Sequence, residues 1–287
     1  MISVVIPALN EEGAIGATVT NVSQVLVAAG LLPFEIVVVD DGSKDKTGQE
    51  AAEAGARIVR HPHNVGYGRA LKDGIEAAAY DMIVICDADG TYPAAAIPEL
   101  VRLYQDGFDM VVGERHGPHH RQSAMKSSLR ALLRLLVEWT AGRRIPDINS
   151  GMRVFSRAAA IRYFPHLCDT FSFTTSMTLA YMMTNRFVTY FKVEYFERIG
   201  HSKVRLFRDS LRTLQYVVEA IVYYNPLKIF LLAALICLVA AALMFAISLS
   251  FGIVTGMMLA VGTTMVAVVM LGLGMLAVLL KQIMDKP

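Results

Sequence analysis

Cysteine is scarce in this chain. Cys86, Cys168 and Cys237 are the only three, and no two stand at CxxC spacing. Neither a disulfide framework nor a structural zinc site is expected from them. The residues from Met1 to Pro7 carry no basic stretch and no small-residue cleavage site, so no signal peptide is expected there. The dinucleotide fingerprint is missing as well. Gly66 and Gly68 have no third glycine at the required spacing, and they follow the third strand-like run rather than the first. No Walker pattern occurs. These absences set aside a secreted disulfide scaffold, a nicotinamide dehydrogenase and a P-loop NTPase.

The longest absence is of charge. From Ile229 to Leu280 there is no Asp, Glu, Lys or Arg. A bilayer-spanning helix needs ~20 apolar residues, and this stretch holds two, with Ser248 to Gly252 read as the turn between them. Lys228 lies before the first span, and Lys281 and Lys286 lie after the second. Two spans return the chain to its starting side, which the positive-inside rule makes cytoplasmic. The whole chain is 54% hydrophobic and 18% charged, with mean hydropathy +0.45. That is too apolar for an ordinary soluble domain. The formal net charge of +2 gives no reason to expect a nucleic-acid partner.

What remains, upstream, alternates. "ISVVIP" (2–7), "FEIVVVD" (34–40), "ARIVR" (56–60), "MIVIC" (82–86) and "FDMVVG" (108–113) are short β-branched runs. Helix-like segments at 11–29, 44–54, 67–79 and 94–105 separate them. This order implies an α/β fold with a mostly parallel sheet and helices on both faces. Continuous apolar strands fit a sheet buried on both sides. Ligands in such sheets bind beyond the carboxyl ends of the strands.

Three of those ends are polar and acidic: Asn10-Glu11-Glu12, Asp40-Asp41-Gly42-Ser43 and Asp87-Ala88-Asp89. Asn10 and Ser43 suit helix N-caps; the three ends together, on one edge of one sheet, point to a site. If the backbone stays extended, Asp87 and Asp89 face the same way. Two carboxylates suit a hard divalent cation, Mg²⁺ or Mn²⁺, completed by substrate phosphates and water.

"VVIPALNEE", "VVVDDGSKDKT", "HNVGYGRAL" and "DADGTYP", in this order and spacing, resemble a family 2 glycosyltransferase of the GT-A fold. "DINSGMRVFSR" and "IGHSKVRLFRD", followed by paired spans, are similar to the polyprenyl-phosphate and dolichyl-phosphate sugar synthases. The resemblance implies a catalytic domain over 1–203, an amphipathic juxtamembrane segment over 204–226, two transmembrane helices over 227–281 and a short tail over 282–287. It implies that Pro7, Ala8, Asn10, Glu11 and Asp40 line the nucleotide pocket and that Lys203 sits near the leaving diphosphate. By the same resemblance Asp87 approaches the sugar, Asp89 ligates the metal and Arg115 faces the acceptor phosphate. His201 is a further candidate metal ligand. Asp147 either positions acceptor or sugar, or caps a turn. Many relatives place Gln two residues after the second Asp; here Thr91 stands there.

The expected reaction is inverting transfer of a sugar from a nucleotide-sugar donor to a polyprenyl-phosphate acceptor at a lipid bilayer. Such an acceptor is anionic near pH 7, its second pKa being ~6, and it needs cations more than it needs a base. Lys126, Arg130 and Arg134 recur at helical spacing beside the apolar Leu129, Leu132, Leu133, Leu136 and Val137, and Arg205, Arg208 and Arg212 repeat the theme. A basic amphipathic helix of this kind can lie on a membrane or pack on the domain. His116, His119 and His120 flank Gly117-Pro118 and read as a loop. Gly252, Gly256 and Ala260 place small residues four apart, a spacing that lets helices approach, and a homo-oligomer is expected from it. Two other readings stand beside this one: a family 2 transferase acting on a hydroxyl, which would require a base near Asp147, and a non-catalytic membrane scaffold.

Overall fold

Five β-branched runs do become strands, and they order a sheet of seven. A computed structural model describes residues 1–117, 137–139, 142–197 and 206–284. Its strands are β1 (Ile2–Ala8), β2 (Phe34–Asp40), β3 (Arg57–Arg60), β4 (Met82–Ile85), β5 (Met110–His116), β6 (Arg153–Ser156) and β7 (Val188–Glu194). The spatial order is β3-β2-β1-β4-β6-β5-β7. β1 pairs in parallel with β2 and β4, β2 with β3, and β5 with β7. β6 alone runs antiparallel, between β4 and β5.

The connecting helices are α1 (Ile15–Ala28), α2 (Thr47–Glu53), α3 (Tyr67–Ala77), α4 (Ile97–Gln105), α5 (Arg157–Ile161) and α6 (Phe173–Met183). α1 buries Ile15, Val19, Val22 and Leu26, a helical stripe turned to the sheet. Val4, Ile6, Val38 and Val84 meet that stripe in one buried cluster. The strands carry apolar residues on both faces because helices cover both, so burial runs unbroken through β1.

This topology positions a site. In β1, β2, β4 and β5 the carboxyl end lies on one edge. β6 runs the other way, so its first residue, Arg153, pairs with Ile85 at that same edge. The 147–152 segment therefore arrives where β4 and β5 end.

The chain divides into two compact units, Met1–Val217 and Val218–Pro287. A helix α7 (Leu206–Tyr224) carries Arg208 and Arg212 on its backbone, and α8 (Pro226–Phe251) and α9 (Val254–Met284) follow. Pro226 occupies the first turn of α8, where its missing N–H costs nothing. α8 continues through Ser248, Leu249 and Ser250 to Phe251, so the turn is shorter than the Ser248–Gly252 segment expected to form it. It closes at Gly252, whose φ of +64° is the left-handed conformation glycine adopts freely. α8 and α9 are both long and apolar enough to cross a membrane, and only 11% of each most apolar window is buried. Lys281 Nζ donates to the Tyr224 carbonyl at 2.6 Å, tying the end of α9 to the end of α7, just before α8 begins. Gly256 lies against Ser248 within the hairpin, and Ala260 is buried. Two of the three small residues expected to face a second copy are thus spent inside this one.

Candidate functional site

The β1 and β2 ends are stitched together. Asn10 takes φ +47°, a left-handed turn that asparagine tolerates. Its N–H donates to Ser43 Oγ at 3.0 Å, and its Oδ1 accepts the Lys44 N–H at 2.8 Å. Glu11 N–H donates to Thr47 Oγ1 at 2.8 Å. Asn10 and Ser43 therefore do not cap helices as their types suggested; α1 and α2 start after Ala14 and Lys46. Both side chains instead lock two loops across the strand ends. Pro7 and Ala8 pair with Val39 and Asp40 beneath them. Asp40 is buried, accepts the Ser43 N–H at 2.9 Å and meets Arg60 Nε at 3.2 Å. The five residues assigned to the nucleotide pocket thus form one connected ledge.

Asp41, beside it, holds the next loop. Its carboxylate accepts N–H bonds from Val65 and Gly66 at 2.9 and 3.0 Å and lies 2.8 Å from His61 Nδ1. The start of α3 is covered in turn: Arg69 N–H donates to the Asp169 carbonyl at 2.9 Å. A chain carbonyl, not a phosphate, lies against that helix start.

At β4 the expected geometry is corrected. The strand ends at Ile85, Ala88 and Asp89 form a turn, and Gly90 takes φ +71°. The extended backbone that would have aimed Asp87 and Asp89 alike is absent. Their partners differ accordingly. Asp87 Oδ1 accepts the Tyr67 hydroxyl at 2.9 Å. Asp89 is buried, and its Oδ1 accepts the Thr91 N–H at 3.2 Å and the Thr91 hydroxyl at 2.7 Å. Thr91, fully buried, braces Asp89 from within.

Arg115 and Asp147, assigned separately in the sequence, are brought together. Arg115 Nε and Nη2 donate to Asp147 Oδ2 and Oδ1 at 2.7 and 2.8 Å, a two-bond fork. The Arg115 N–H adds a third bond at 3.2 Å and the Asn149 N–H a fourth. Burial disfavours both charges. In Asp147, the hydrogen bonds and charge of Arg115 outweigh burial and hold the carboxyl below its ordinary value. In Arg115, Tyr92 and Asp147 outweigh burial and hold the guanidinium above its own. Arg115 also lies 5.4 Å from the centre of the Tyr195 ring, which packs edge-on against Tyr92.

Three residues were not singled out by the sequence. Tyr92 accepts the Gly151 N–H at 2.7 Å. Arg153 is wholly buried; its Nε and Nη2 donate to the Ser150 and Ile148 carbonyls at 2.9 Å, and its Nη1 to Thr178 Oγ1 at 2.7 Å. It shapes the loop that carries Asn149 and Gly151. Tyr67 is the third. Each lies inside a quoted motif, Tyr67 in "NVGYG", Tyr92 in "DADGTYP" and Arg153 in "DINSGMRVFSR", but nothing in those motifs marks its role. Lys203, His201, His119, His120, Arg205 and the basic stretch from Lys126 to Arg134 lie outside the described residues.

Among the described residues, no three His, Cys, Asp or Glu side chains gather closely enough to hold a metal ion on their own. Of the three candidate ligands Asp87, Asp89 and His201, only the two carboxylates lie among the described residues. By the chemistry of the donors, two carboxylates at the end of β4 fit a hard cation whose other positions would be filled by a diphosphate and water.

Comparison with known proteins agrees with this architecture. A hexosyltransferase of low-salt glycan biosynthesis, Agl6 from Haloferax volcanii, is 31% identical over 224 residues, 76% of this chain and 53% of that one. A dolichyl-phosphate hexose transferase from the same organism is 31% identical over 54% of this chain and 66% of its own. The chain thus spans between half and two thirds of the length of these relatives. A crystal structure of glucosyl-3-phosphoglycerate synthase from Mycobacterium tuberculosis, with Mn²⁺, uridine diphosphate and phosphoglyceric acid, shares the fold. Its TM-score is 0.63 at 24% identity, covering 77% of this chain and 78% of that one. The glycosyl transferase family 2 model matches residues 3–164. With the sheet order and the acidic strand ends this settles the family: the chain belongs to glycosyl transferase family 2.

Proposed function

We propose that the protein transfers a sugar, with inversion, from a UDP- or GDP-linked donor to a membrane polyprenyl phosphate. The observation that carries this reading is the Arg115–Asp147 fork. A transferase that uses a hydroxyl acceptor needs a base of suitable pKa beside it. Asp147 is a poor base. It accepts four hydrogen bonds, is 5% exposed, and is held below the ordinary carboxylate range. What it does is aim Arg115. With Nε and Nη2 committed to Asp147, Nη1 has no hydrogen-bond partner among the described residues, and in this reading it meets an anion. A phosphate acceptor, already charged near neutral pH, needs such a cation and no base.

In this reading the ledge of Pro7, Ala8, Asn10, Glu11 and Asp40 holds the nucleoside. Asp87 and Asp89 hold Mg²⁺ or Mn²⁺, and a bound divalent ion supplies charge neutralisation for the departing diphosphate. Lys203 assists there. α8 and α9 cross the bilayer, and Lys228, Lys281 and Lys286 favour the cytoplasmic side for the catalytic unit. The name of the dolichyl-phosphate relative supports the acceptor class, and intact acidic strand ends argue against an inert scaffold.

The test is a screen of UDP- and GDP-sugars with membranes containing the full-length chain and a polyprenyl phosphate. A charged lipid product whose anomeric configuration is opposite to the donor's is the expected result. Transfer only to a neutral lipid or glycan hydroxyl would sink the acceptor assignment. No product from any donor would sink the transferase reading.

A further inference from the structure

α3 begins at Tyr67, directly after a backbone turn. Gly66 takes φ +116°, and a Cβ there would lie 2.8 Å from the Asp169 carbonyl oxygen. A Cβ on Gly68 would lie 2.8 Å from the Asp169 carbonyl carbon. The two glycines of "NVGYG" thus admit the 167–171 segment onto the first turn of the helix. Lys72, one turn further on and buried, clamps it there. Its Nζ donates to the Leu167 carbonyl at 2.7 Å and to Asp169 Oδ1 at 2.5 Å. The clamped segment carries Phe171, whose ring centre lies 6.4 Å from that of Tyr67.

This packing fixes one hydroxyl, which donates to Asp87 Oδ1 at 2.9 Å. Behind the same carboxylate stands Gly151, where a Cβ would lie 2.6 Å from Asp87 Cγ. Asp87 is therefore gripped between a donor on one side and bare backbone on the other. A neutral donor orients a carboxylate without cancelling the charge that a cation needs. A lysine at this place would compete with that cation.

We propose that Tyr67 is a positioning residue for sugar transfer, holding Asp87 in the orientation that meets the donor, with Gly151 closing the grip. The proposal rests on the transferase reading above and adds to it a residue outside the acidic motifs.

The test uses the full-length chain. Tyr67→Phe removes one oxygen and keeps the ring against Phe171. It should lower kcat by ~10- to 100-fold, the range expected when a reacting group loses its alignment. The donor KM and Mn²⁺-dependent nucleoside diphosphate binding by calorimetry should change by much less than kcat, because Asp87 keeps its charge. In a cycle with Asp87→Glu, the double variant should be no slower than Asp87→Glu alone, because both changes disturb one contact. Gly151→Ala should lower kcat similarly, by pressing on the same carboxylate. Undiminished kcat in Tyr67→Phe, or losses that simply multiply in the cycle, would overturn the proposal. Should Tyr67→Phe unfold, Gly151→Ala decides alone, and full transfer by it overturns the grip. If the wild-type chain itself transfers from no donor, the transferase reading fails and the proposal falls with it. That outcome is distinct from a wild-type enzyme indifferent to Tyr67.

Discussion

Arg115 and Asp147 stand 32 residues apart in sequence and meet edge to edge, through bonds of 2.7 and 2.8 Å. β5 delivers the arginine from its carboxyl end, and the segment before β6 delivers the aspartate to the same edge. Breaking one side of a buried pair leaves the other charge uncompensated, at a cost of about 3 kcal/mol. Asp147→Ala should therefore lower the unfolding midpoint clearly and abolish transfer, while nucleotide binding persists at temperatures where the fold holds. Arg115→Leu with Asp147→Leu should recover part of the stability and none of the transfer. Denaturant unfolding and calorimetry on the purified full-length chain separate these effects. A double variant that transfers normally would remove Arg115 from the acceptor site.

The same pair carries a pH dependence. The Asp147 carboxyl is held low in the folded chain, so its contribution is complete above the unfolded value, about 3.9 for an ordinary Asp. It is lost as pH falls through the lower folded value. The Asp147→Asn variant should then differ from wild type by a nearly constant amount between neutrality and mild acid, converging only below that range. A stability difference that disappears at mildly acidic pH would mean the pair is not the one seen here.

The strand ends were legible before the fold was known, for a local reason. A run of β-branched residues that stops at Asp or Asn marks both a strand and its edge, as at Asp40 and Asp87. β6 and α6 carried no such mark. β6 contains a wholly buried Arg153, a charge where a strand pattern calls for an apolar residue. α6 buries ten successive residues, from Phe173 to Met182, Thr174, Thr175, Ser176 and Thr178 among them, so its polar and apolar residues do not sort into two faces and no helical period shows. Pairings such as Arg115–Asp147 and Tyr67–Asp87 join separate elements and leave no periodic trace. The turn at Ala88-Asp89 leaves no mark either, because Asp-Ala-Asp fits an extended backbone and a turn equally well.

Asp89→Asn should abolish transfer and spare the fold. The amide oxygen of Asn can still accept both Thr91 bonds, so the turn should survive while the charge for the cation is lost. Circular dichroism and thermal unfolding should match wild type. Thr91→Val removes the 2.7 Å hydroxyl bond from a fully buried position and should cost about 1 kcal/mol of stability. Chelation should stop the wild-type enzyme. Activity that survives chelator, or Asp89→Asn, would end the metal assignment.

Gly68→Ala tests the clamp over α3. The added methyl would meet Asp169 backbone rather than a movable side chain, so the segment must shift. Overpacking of this kind costs about 1–3 kcal/mol. The loss should appear in thermal unfolding, and Gly107→Ala offers no comparison because its φ of +105° adds strain of its own. Gly262→Ala, with nothing within 4 Å, should leave the midpoint unchanged.

The apolar hairpin poses the last question, which is how a water-facing site reaches a lipid. A polyprenyl phosphate cannot leave the bilayer cheaply, since each CH₂ exposed to water costs ~0.8 kcal/mol. With such an acceptor, the proposed reading requires the site to work at the membrane surface. α8 and α9 leave residues such as Leu235, Ile236, Leu243 and Val261 uncovered along their length, which suits lipid and not water. Removing everything after Asn225 should leave nucleotide binding largely intact, because Asn10, Asp40, Asp87 and Asp89 all lie in the first unit. Transfer to a long-chain polyprenyl phosphate should fall steeply. Transfer to a short, water-soluble phosphate should fall far less, because that acceptor needs no delivery from the bilayer. Calorimetry with UDP and GDP, beside transfer assays on both acceptors, reads the two effects apart. Equal losses on long and short acceptors, with nucleotide binding gone, would mean that the hairpin supports the fold and that surface delivery has no part in the reaction.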